Sequence, residues 1–293
     1  MDVAKLGAVG IPVVTASMTA GLTFIPWAAK RAGLSNKLGS LLAAGTSICG
    51  VTAITAAAPA IRADSKETAV AVANVVAFGT LGMLTYPYFT HALLPESAAG
   101  LFLGVAVHDT SQVLGSAMTY HQVFGSDEVL KAAAVTKLTR NLCLAGVIPS
   151  LAWQYRHQDG AAVGGSEQPK DDGGAVMSGL AKFQKYVPGF VLGFIGVAAL
   201  RSAGDYSALA SGKAFWLFDK AAFEALAATV ASTGSTVGLG TAMAAVGLST
   251  SASDLKGVGV RPFAVGLSGA LVVGSTGFAT LKALEAAGAL AAA

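Results

Sequence analysis

The chain has 293 residues, of which 54% are hydrophobic and 12% charged, about half the charged share of a soluble globular domain. That apolar surplus must face lipid, which excludes an ordinary soluble fold. The formal charge of +3 comes from scattered loop residues rather than a basic block, and so implies no nucleic-acid partner.

A membrane-spanning helix needs roughly 20 predominantly apolar residues. In chain order, such runs are Leu6 to Ala28, Ala69 to Leu94, Ala98 to Tyr120, Ala132 to Gln154, Tyr186 to Ala203 and Pro262 to Leu284. Asp2 in the first positions and the length of the first run argue against a cleavable leader. Two further stretches, Leu38 to Ile61 and Ala221 to Lys256, are apolar but interrupted by Gly, Ser and Thr. The glycine-rich segment from Arg156 to Lys182 reads as a flexible connection. Trp27, Tyr86, Tyr88, Trp153, Tyr155 and Tyr186 lie near span ends, as an interfacial aromatic belt does. Cys49 and Cys143 fall inside apolar segments without metal-ligand spacing, so neither a metal site nor a disulfide framework is expected.

The predicted fold class is therefore an all-α, polytopic membrane protein. If each interrupted stretch is counted as one crossing, the distribution of Lys and Arg favours neither orientation.

The interrupted stretches carry the functional signal. Gly45-Thr46-Ser47-Ile48-Cys49-Gly50 follows an alanine-rich half-helix, and Gly247-Leu248-Ser249-Thr250-Ser251 follows another. A helix broken inside a bilayer bares N–H and C=O groups that lipid cannot satisfy, so the break needs protein or a wet cavity around it. The second half-helix then offers free N–H groups and a positive dipole end to an anion. Gly45, Thr46, Ser47, Cys49, Gly50, Gly247, Ser249, Thr250 and Ser251 are the candidate substrate-binding residues, in two broken helices that cross near the midplane. The alternative is that Gly with Ser or Thr merely allows close helix packing.

Each break is flanked by a span, but two additional spans precede the second. The units are then inverted, with three crossings in the first and five in the second. About eight of an expected ten crossings are present, with two expected ahead of Leu6. Segment boundaries fall at 1–96 for the short first repeat, 97–155 for the first two helices of the second, 156–185 for the loop and 186–293 for the remainder.

At these residues the sequence resembles the YeiH-type family of membrane proteins, usually called sulfate exporters. The resemblance rests on residues 45–50 with Ala58-Pro59, on His108-Asp109-Thr110-Ser111-Gln112-Val113, on Lys137-Leu138-Thr139-Arg140, and on Ala242-Met243-Ala244-Ala245-Val246-Gly247-Leu248. It implies a fold related to sodium/proton antiporters and bile-acid symporters, with transport of a small anion, and members usually carry further helices at the front.

Ionisable groups at membrane depth are costly and point to function. In a continuous helix over Ala98 to Tyr120, His108 and Gln112 share a face and Asp109 is turned about 100° away. His108 and Asp109 are candidates for proton coupling. Lys137 and Arg140 are expected either to offset Asp109 and attract an anion or to snorkel to the interface.

The expected activity is secondary transport of sulfate, sulfite or an organosulfonate by alternating access, without a cofactor other than a coupling proton or sodium ion. The expected partners are that small anion and the lipid bilayer of a cell or organellar membrane, with a homo-oligomer left open. A non-transporting binding or regulatory subunit is one alternative. An intramembrane enzyme using Ser111 or Cys49 with His108 and Asp109 is the other, although adjacent His and Asp on one helix do not form a ready triad.

Overall fold

The computed structural model describes residues 3–162, 189–234 and 259–289, with Val237 and Thr241 besides. The chain forms two compact units, residues 1–171 with 252–293, and residues 172–251.

In the first unit, helix α1 (Val3–Arg31) is followed by α2 (Asn36–Ala44), a wide turn of π-helix (Gly45–Cys49), and α3 (Val51–Ala60). Then come α4 (Ser65–Leu93), α5 (Glu96–Ala106), α6 (Thr110–Phe124), α7 (Asp127–Leu142) and α8 (Leu144–Ala162). Described residues of the second unit form α9 (Gly189–Ser211), a two-stranded ribbon of β1 (Lys213–Ala214) and β2 (Phe218–Asp219), and α10 (Lys220–Thr233). Helix α11 (Val260–Ala286) returns to the first unit.

Helices α1, α4 and α11 are long and apolar enough to cross a membrane, as their sequences predict. Two of the predicted spans need correction. The run from Ala98 to Tyr120 is two helices, because Val107 and His108 leave helical geometry and Asp109 caps α6 by accepting from Ser111 N. The run from Ala132 to Gln154 is divided at Cys143, and α8 carries helix through residue 162, into the expected loop. The helical class holds, with one small ribbon among the described residues whose turn has Phe215 and Trp216 at φ of 51° and 64°.

The first interrupted stretch, Leu38 to Ile61, folds back on itself. Its two ends lie together: Lys37 Nζ donates to Arg62 O at 2.8 Å, and Ser35 Oγ donates to Glu67 Oε1. Helices α2 and α3 therefore form a hairpin whose tip is Gly45–Gly50. Helices α5 and α6 form a second hairpin, since Ser126 Oγ donates to Glu96 Oε2 at 2.9 Å across its base. Helices of 10 and 11 residues (α3 and α5) reach only about 15–17 Å at 1.5 Å per residue, about half of a hydrocarbon core. Helix α4, 29 residues long, begins at the base of the first hairpin and ends at the base of the second. The two hairpins thus point toward each other from opposite ends of α4.

Close backbone approach fixes the position of α7. A Cβ on Gly100 would lie 2.6 Å from Val129 O, and one on Gly104 2.8 Å from Ala133 O. The Gly100-x-x-x-Gly104 spacing lets α7 rest on the backbone of α5, the usual small-residue device of membrane helix pairs.

Candidate functional site at the hairpin tips

The two tips touch. Gly50 takes φ 69° and ψ −132°, a conformation that favours glycine, and a Cβ there would stand 2.7 Å from Asp109 Oδ2 and 2.9 Å from Asp109 Cα. The break in α2–α3 therefore meets the break in α5–α6, at residues expected from sequence to lie inside an unbroken span.

Each tip bares carbonyls at the end of its first half-helix, and α7 supplies two cations to them. Arg140 Nε donates to Ser47 O at 2.8 Å and Nη2 to Thr46 O at 2.7 Å, while Nη1 donates to Val105 O and, at 3.4 Å, Gly104 O. Lys137 Nζ donates to Ile48 O at 3.2 Å, Val107 O at 3.3 Å and His108 O. One guanidinium and one ammonium thus tie both hairpins together. The snorkelling expectation is overturned, because Lys137 is 1% and Arg140 0% exposed. The Gly100–Gly104 contact with α7 explains this burial, carrying α7 against α5 and its next turn over the carbonyl end.

Asp109 serves the opposite ends. Its Oδ1 accepts from Ser111 N at 3.0 Å and Ser111 Oγ at 2.7 Å, capping α6, while Oδ2 lies at Gly50, the residue that opens α3. Helix N-termini favour a negative group.

The remaining candidate residues separate. Gly45 packs closely on Ile54 and Val75, a packing role. Ser47 is fully buried, with its Oγ turned to Gly21 of α1 and without a hydrogen-bond partner among the described residues. Thr46 and Cys49 are buried in the tip. His108 is 2% exposed and its Nδ1 has no hydrogen-bond partner among the described residues. Because residues 107–109 are not helical, the expected shared face of His108 and Gln112 does not exist. Gln112 instead joins α6 to α4, donating to Val76 O and Thr80 Oγ1 at 3.1 and 3.0 Å. Gly247, Ser249, Thr250 and Ser251 lie outside the described residues.

Long apolar helices around two facing hairpins, with buried cations at their junction, define a multi-pass helical membrane protein. Residues 1–266 match the family described as Conserved hypothetical protein 698, and the chain belongs to that family. It is 33% identical over 210 residues to a UPF0324 membrane protein of Ralstonia nicotianae, covering 69% of this chain and 55% of the relative. It is 31% identical over 240 residues to the UPF0324 inner membrane protein YeiH of Salmonella typhi, covering 80% and 58%. A UPF0324 membrane protein of Haemophilus influenzae is 30% identical over 237 residues, covering 80% and 59%. The chain spans a little over half the length of these relatives. No solved structure matches it.

Proposed function

We propose that the protein is part or all of a secondary transporter that moves a small anion, such as sulfate, sulfite or an organosulfonate, by alternating access around the facing hairpin tips. The observation that carries the reading is the burial of two basic side chains, Lys137 and Arg140, and one acidic one, Asp109, at their junction. The two half-helix C-termini contribute about half a negative charge each and the two N-termini about half a positive charge each, so the dipoles nearly cancel. With both basic side chains protonated, Lys137 and Arg140 outweigh Asp109 by roughly one positive charge beside a buried carboxylate. An anion neutralises such a junction, and a cation would add to the excess.

In this reading Asp109 competes with the anion for the helix N-termini. Neutralisation of its carboxylate by a proton or sodium ion frees those N–H groups, which couples the ion to the anion. His108, buried beside it with an unpartnered ring nitrogen among the described residues, is the second candidate carrier. Direct donation from Ser111 Oγ to Asp109 places no imidazole between them, which supports a transporter over a hydrolase.

The hairpin geometry also supports a proposed orientation. Lys30, Arg31, Lys37, Arg62 and Lys66 gather near the base of the first hairpin, and Arg261 Nη1 reaches Gly33 there. The base of the second hairpin holds fewer basic residues, with Lys131 one turn into α7 beside Glu96, Asp127 and Glu128. Positive charge marks the cytoplasmic side, so the first hairpin enters from the cytoplasm and the second from the opposite face. A pair of facing hairpins would carry the inverted symmetry expected of the family.

The test is sulfate uptake into liposomes, alongside sulfate binding to purified protein by calorimetry. Wild type is expected to show saturable flux that responds to a pH or sodium gradient. Asp109→Asn is expected to bind sulfate more tightly while losing that response. Binding without flux would replace transport by the binding or regulatory reading, and absence of both would overturn the anion site.

A further inference from the structure

A polar cavity of about 220 Å³ opens near the base of the first hairpin, lined by Pro26 and Lys30 of α1, Asn36 and Ser40 of α2, and Gln154 and Tyr155 of α8. Its lining holds an ammonium, two amides and two hydroxyls, and no carboxylate. At the deep side Ser40 and Tyr155, 7% and 6% exposed, share a hydrogen bond of 2.9 Å between their hydroxyl oxygens. Ser47 lies seven residues further along, beyond the point where α2 widens into the π turn, with its Oγ turned to Gly21 of α1. Between them in the chain stand Ala43 and Ala44, small and buried. The Ser47 hydroxyl is fully buried and unpartnered among the described residues, so a polar solute reaching it would supply its missing hydrogen bond.

We propose that this cavity is the cytoplasmic vestibule of a hydrated passage running between α1 and α2 to Ser47, and that the Ser40–Tyr155 hydrogen bond is its constriction. Lys30 at the rim draws in small inorganic or sulfonate anions, and the amides of Asn36 and Gln154 replace part of their hydration. Opening exchanges the hydrogen bond between the two hydroxyls for bonds to water or the anion and loosens the α1–α2 seam, where Gly39 lies against Ala29. The passage rests on the reading of the tips as an anion site for its purpose, but its existence is measured without flux.

The experiment uses the full chain with Cys49→Ala and Cys143→Ser, and Ser47→Cys as reporter, in inside-out and right-side-out vesicles. The reagent is the membrane-impermeant anion sulfonatoethyl methanethiosulfonate, and the unreacted thiol is read by a gel-shifting maleimide. Modification is expected from the cytoplasmic side, with Tyr155→Phe and Ser40→Ala each raising its rate about tenfold. Lys30→Glu is expected to slow the anionic reagent at least threefold relative to its trimethylammonium analogue. Rates unchanged by all three substitutions, or equal from both sides, would overturn the passage. Size-exclusion elution and thermal stability matching the reporter parent show that each variant is folded. Accelerated labelling in a protein without sulfate flux would keep the passage and remove the transport reading.

Discussion

Replacing Arg140 with Met tests the central claim that this side chain holds the two hairpin tips together. The methionine preserves most of the volume and removes the donors to Thr46 O, Ser47 O and Val105 O, together with the weaker one to Gly104 O. Hydrogen bonds from charged groups contribute about 1.5–3 kcal/mol each, whereas polar contacts within membrane proteins average nearer 0.6 kcal/mol. Three strong donors lie between those limits at roughly 3–5 kcal/mol. At about 2–4 °C per kcal/mol for chains of this size, the unfolding midpoint of detergent-solubilised protein should fall by at least about 6 °C. Arg140→Lys should fall between, because an ammonium retains the charge but concentrates its donors on one nitrogen, where the guanidinium spreads three nitrogens over Ser47 O, Thr46 O and Val105 O. A midpoint for Arg140→Met within about 2 °C of wild type would refute the reasoning.

Gly50→Ala should be among the most damaging single-methyl changes in the chain. It combines a positive φ with a Cβ 2.9 Å from the Asp109 backbone, and an expected loss of more than about 3 kcal/mol would show as failure to recover monodisperse protein. Asp64→Ala removes one half of the capping box at the start of α4, where Glu67 N donates to Asp64 Oδ1 at 2.6 Å. It should lower the midpoint by the equivalent of about 1 kcal/mol while leaving sulfate binding unchanged, because the cap lies at the hairpin base and not at the tips.

Membrane residence, the long helices α1, α4 and α11, and the break at Gly45–Gly50 were legible in the sequence, because apolar run length and glycine beside hydroxyl residues act locally. So were His108, Asp109, Lys137 and Arg140, since ionisable groups at membrane depth stand out against an apolar background. Two other local signals are present but are masked by the apolar runs around them. Asp109-Thr110-Ser111 caps a helix rather than continuing one, and Gly100-x-x-x-Gly104 seats α7. What only the tertiary structure decided is direction. An interrupted apolar run has the same composition whether the chain crosses or turns back. The turn is revealed by contacts between distant residues, Lys37 with Arg62 and Glu96 with Ser126. Residue spacing likewise placed Lys137 and Arg140 on one helix but did not say whether they reach water. Their burial follows from how closely two glycines let α7 approach α5, which brings both cations within reach of the carbonyls of both hairpins.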